Sequence, residues 1–63
     1  MSVSRRDIIR HFEKYGFFLK REGGKHSIYS NVQGKNVPIK RHKIFDRISA
    51  NKLCKEADIP QIF

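Results

Sequence analysis

The glycine pair Gly23-Gly24 divides two short runs of strand-forming residues, 17–21 before it and 26–30 after it. Glycine lets a chain reverse tightly, and two β-type runs split by such a gap read as an antiparallel hairpin. The first run, Phe17-Phe18-Leu19-Lys20-Arg21, is aromatic-rich and opens after Gly16. Alternation puts Phe17, Leu19 and Arg21 on one face. In the second run His26, Ile28 and Ser30 share one face, and Ser27 and Tyr29 the other.

The rest of the chain fits around that hairpin. Asn31-Val32-Gln33-Gly34 is a second turn, and residues 36–40 form a third strand. Pro38 inside it marks an edge position, because proline cannot donate to a ladder. Ahead of the hairpin, Ile8, Ile9, Phe12 and Tyr15 recur at helical spacing, with Ser4 as N-cap, Asp7 three residues later and Gly16 as the stop. This predicts an amphipathic helix over 5–15. Residues 41–47 read as a basic loop. Ser49 reads as the cap of a second helix, with Ile48 and Leu53 as a hydrophobic staple and Ala50, Leu53, Cys54 and Ala57 as its apolar stripe. Pro60 cannot continue it. The expected fold is α+β, a helix, a three-stranded antiparallel sheet and a helix, as one domain over 1–63. Both helices cover one sheet face and leave the other open.

A chain of 63 residues buries only a small core. It has no Trp, so its five Phe and two Tyr carry much of the burial, and the single cysteine rules out an internal disulfide. The formal net charge is +8, and the segment from Lys20 to Lys43 holds seven cations (Lys20, Arg21, Lys25, Lys35, Lys40, Arg41 and Lys43) against one acid, Glu22. Such an excess on a small domain points to a polyanionic partner; a solvated basic surface or an acidic protein partner fits the charge as well. No apolar run approaches a membrane span. The start, Met1-Ser2-Val3-Ser4, lacks an apolar signal region, so the expected location is cytoplasmic.

Among the chemical groups His26 stands first. Imidazole gives and takes protons near neutral pH, and a strand holds it more firmly than a loop. Lys20, Arg21 and Lys25 lie close in sequence. His42, in Lys40-Arg41-His42-Lys43, reads as a surface residue, a phosphate contact or a second acid/base group. His11, on the polar side of the first helix, reads as structural. His11, His26, His42 and Cys54 have no ligand-type spacing, and the acids avoid the basic middle, so a metal site or cofactor is not expected. Cys54 belongs to the helix stripe. Ser27 and Ser30 lack an orienting acid in the sequence. These residues suit RNA cleavage, since RNA brings its own 2′-hydroxyl nucleophile.

Gly16-Phe17, Arg21, Gly23-Gly24-Lys25-His26 with Ile28-Tyr29, Val37-Pro38-Ile39, Arg41-His42, Ala50, Leu53-Cys54-Lys55, Ala57 and Ile59 together resemble the HicA family of mRNA interferase toxins from toxin–antitoxin pairs. The resemblance implies a double-stranded-RNA-binding-domain-like fold and ribosome-independent cleavage of mRNA with His26 catalytic. It also implies a HicB-type antitoxin that blocks the site. Lys25, Arg21, Lys40, Arg41 and His42 would then meet RNA phosphate. Two departures stand out: Lys25 where many members carry Ser, and Asp58 where many carry Gly. A non-catalytic RNA-binding module, or a protein that chiefly binds its regulatory partner, would use the same scaffold.

Overall fold

The computed structural model describes residues 2–63. In chain order the elements are β1 (Ser2–Ser4), α1 (Arg5–Lys14), β2 (Phe18–Glu22), β3 (His26–Ser30), β4 (Asn36–Lys40), β5 (Ile44–Asp46) and α2 (Arg47–Glu56). The expected α+β order of helix, three-stranded antiparallel sheet and helix is present, with β2-β3-β4 as the sheet and β4 at an edge, where Pro38 is accommodated.

Local chemistry starts and stops the helices. Ser4 caps α1 from an extended conformation, its Oγ accepting from the Asp7 amide at 3.1 Å. At the other end Gly16 takes φ +86°, and the amides of Gly16 and Phe17 donate to the carbonyls of Glu13 and Phe12, both at 3.0 Å. This is a Schellman closure, completed by the Phe12 and Phe17 rings packing edge-to-face. Helix α2 closes the same way: the Asp58 amide donates to Lys55 and that of Ile59 to Cys54. Here the left-handed position is held by Asp58, at φ +61°.

Several sequence expectations change. The segment 41–47 is not a loop throughout: Ile44–Asp46 forms β5, which pairs antiparallel with β1. Two three-residue strands from distant parts of the chain leave little periodicity to read. The α2 cap is Asp46 rather than Ser49; the Asp46 carboxylate accepts from the Ser49 amide at 2.7 Å, and those hydrogen bonds, the backbone one foremost, hold it below the usual carboxylate range. Ile48 is correspondingly exposed and staples nothing. Finally, a β-bulge between Leu19 and Arg21 interrupts the β2–β3 register. Leu19 lies opposite Tyr29 and Arg21 opposite Ile28, so the extra residue moves Arg21 to the face away from Leu19.

Alternate residues of the sheet divide its labour. Ser27, Tyr29, Val37 and Ile39 are buried. The three apolar ones join a core with Ile8 and Phe12 of α1 and Ala50 and Cys54 of α2. The cross-strand pairs His26–Lys40 and Ile28–Pro38 fall on the other face, where His26, Pro38 and Lys40 are exposed and Ile28 is half-buried. Ser30 departs from this pattern. It is buried, hydrogen-bonded to Asn36 across the strand pair.

Candidate active site

His26 is the first residue of β3, and its place is fixed by the turn before it. The Gly23 amide donates to the His26 carbonyl at 2.8 Å. A Cβ on Gly23 would stand 2.7 Å from that same oxygen, whereas one on Gly24 would meet nothing within 4 Å. Only Gly23 is therefore demanded by close approach. The opposite strand brings Lys40 directly across from His26. The pairing continues one step further, where the Arg41 amide donates to the Lys25 carbonyl at 3.4 Å.

Two hollows meet at this corner. One, of about 320 Å³, is lined by Lys25, His26, Lys40, Arg41 and His42. The other, a cleft of about 470 Å³, runs from His26, Pro38, Lys40 and His42 to Asp46 on β5 and to Ser49, Lys52 and Glu56 on α2. Both histidines and Lys40 border both spaces. The His42 ring lies over Phe45, with centroids 6.2 Å apart. Of the six residues singled out in the sequence, five converge here. Arg21 shares the sheet face but lines neither hollow.

A polar network under the corner was not legible in the sequence. Ser27 is fully buried; its Oγ accepts from Arg5 Nη2 at 2.9 Å and donates to Glu22 Oε1 at 2.8 Å. Ser27 does have an acid beside it, then, and what bars it from acting as a nucleophile is burial. Arg5 also donates from Nε to the Lys40 carbonyl at 3.2 Å. Arg41 Nη1 donates to the Gly23 carbonyl at 3.2 Å and lies 3.4 Å from Glu22 Oε1. Arg5, Glu22 and Arg41 thus tie α1, the hairpin turn and the end of β4 into one frame beneath His26. The one readable signal was Ser27 on the inward alternation, since a buried hydroxyl needs partners.

The other histidine with a defined place is His11. It is buried, contrary to its expected position on the polar side of α1; Nε2 lies 2.7 Å from the Pro60 carbonyl, and the ring packs edge-on to Tyr15 and Phe63. Its role is structural, holding the tail to α1. Burial pushes the Cys54 thiol up, which suits an inert core residue. Among the described residues no three His, Cys, Asp or Glu side chains gather as a metal-binding group, and no helix is long and apolar enough to cross a membrane.

The corner can therefore offer proton transfer from exposed imidazole next to cations suited to an anionic group. No curated protein and no solved structure matches the chain. A family model does, over residues 5–59, from the α1 start through the Schellman closure of α2, and it is that of the HicA toxin of bacterial toxin–antitoxin systems. The chain belongs to the HicA toxin family, as one toxin of such a pair.

Proposed function

We propose that this toxin is an endoribonuclease that cuts mRNA without the ribosome and without a metal ion, using His26 as general acid or base. Lys25, Lys40, Arg41 and, further along the face, Arg21 hold and neutralise phosphate, with His42 beside them. A HicB-type antitoxin covers the corner and silences it. The observation that carries this reading is the exposed His26 paired across the strands with Lys40 at the mouth of two hollows.

The reaction needs no outside nucleophile. A base takes the 2′-hydroxyl proton and the 2′-oxygen forms a bond to phosphorus. The P–O5′ bond breaks, its electron pair stays on O5′, and an acid protonates that oxygen. The products are a 2′,3′-cyclic phosphate and a 5′-hydroxyl. Acid–base help contributes about 10²- to 10⁴-fold, and well-placed donors to the crowded phosphate about 10²- to 10³-fold more.

The test is RNA incubated with the purified protein in excess chelator, beside the same RNA carrying one 2′-deoxy nucleotide at the mapped cut. The expected result is cleavage of the first, cyclic phosphate ends, and none at the deoxy position. Cleavage at the deoxy position would refute the mechanism. RNA bound in a strongly salt-dependent way but left whole would leave a binding module instead.

A further inference from the structure

The site holds two imidazoles, and its chemistry needs two proton carriers. We infer that His42 is the second: one of His26 and His42 removes the 2′-hydroxyl proton while the other delivers a proton to O5′. This rests on the nuclease reading above and deepens it.

The fold brings the two residues to one corner. His26 opposes Lys40, and the Arg41–Lys25 bond carries the pairing past the end of β4. His42 follows two residues beyond Lys40, just past the end of the strand. A phosphate seated in the shared hollow would turn its entering oxygen toward one ring and its leaving oxygen toward the other. Both rings border both hollows, and Phe45 backs His42.

The charges facing the pair suit this division. Lys25, Lys40 and Arg41 lie on the sheet side, and Asp46, Lys52 and Glu56 on the side of β5 and α2. With three cations already at the smaller hollow, a further phosphate contact adds little. A second imidazole adds a proton carrier, the role that histidine fills most often in acid–base catalysis. In balance, one ring gains a proton from O2′–H and the other loses one to O5′. Exchange with water resets both.

The test compares wild-type, His26→Ala, His42→Ala and His42→Lys on an RNA with one mapped cut, across pH. A second substrate carries sulfur in place of the bridging O5′; its thiolate leaves without a proton. Wild-type cleavage is expected to rise and then fall with pH, and the two alanine variants to lose opposite limbs, each with a rate loss of about 10²- to 10⁴-fold. The sulfur substrate restores whichever variant lacks the acid and not the other. His42→Lys stays as impaired as His42→Ala. If His42→Ala keeps both limbs or loses the same limb as His26→Ala, or if His42→Lys recovers activity, the inference is overturned and His42 is a phosphate contact. Wild-type protein that leaves RNA intact overturns the nuclease reading itself, an outcome visible before any variant is made.

Discussion

The two faces of the β2-β3-β4 sheet are built from the same strands and do opposite work. On the inward face Tyr29, Val37 and Ile39 lie under the helices, and the Ser27 hydroxyl buried beside them is satisfied by Arg5 and Glu22. On the outward face His26 and Lys40 stand exposed one residue away along each strand. A step of about 3.3 Å along the chain separates a core residue from an exposed one. The strand pleat lets one sheet of a 63-residue chain keep a buried face under α1 and α2 and an exposed face that holds His26 and Lys40.

If the division is real, damage to one face should leave the other's property intact. The largest effect is expected from Phe12→Ala. Phe12 is fully buried, and emptying that space costs about 3–5 kcal/mol. Against a total stability of about 5–15 kcal/mol for typical domains, unfolding by heat or denaturant should come much earlier. A variant that melts like wild-type would contradict the core described here.

The glycine pair sharpens the comparison at the hinge between the faces. Gly23→Ala forces a methyl group against the His26 carbonyl, which must move. Displacing a reacting group by about 1 Å costs about 10²-fold in rate, so cleavage should fall by that order. Gly24→Ala meets open space and should cut RNA like wild-type. Equal activity of the two variants would show that the turn does not set the position of His26.

The smallest effect concerns the helix ends. The two Schellman closures put different residues at the left-handed position, Gly16 in one and Asp58 in the other, both at positive φ. Asp58→Gly should raise stability by about 0.5–1 kcal/mol, seen as a slightly higher Tm, with cleavage unchanged. The lost ion pair to Lys35 spans 3.9 Å between exposed groups and offsets little of this.

Much of this was readable in the residues. The α1 cap and stop, the turn at Gly23-Gly24, the edge strand with Pro38 and the α2 stripe all follow from local patterns that the structure keeps. The convergence of Lys25, Lys40, Arg41 and His42 on His26 needed only the hairpin and the third strand. What escaped depends on contacts between distant segments. Strand β5 exists because β1 is there to pair with it. The bulge that turns Arg21 outward depends on how β2 meets β3. Arg5 looks like a solvated helix residue until Ser27 and the Lys40 carbonyl are brought to it. His11 likewise looks polar-facing until the tail folds back and offers the Pro60 carbonyl.

The most direct test of the account measures two properties on one preparation of His26→Ala: its rate of RNA cleavage in chelator and its thermal midpoint. The ring is exposed and its removal opens no cavity, so the midpoint should match wild-type while cleavage drops by about 10²-fold or more. A variant that cuts RNA as fast as wild-type would remove His26 from the chemistry. One that loses activity only because it unfolds would place His26 with the core rather than on the reactive face.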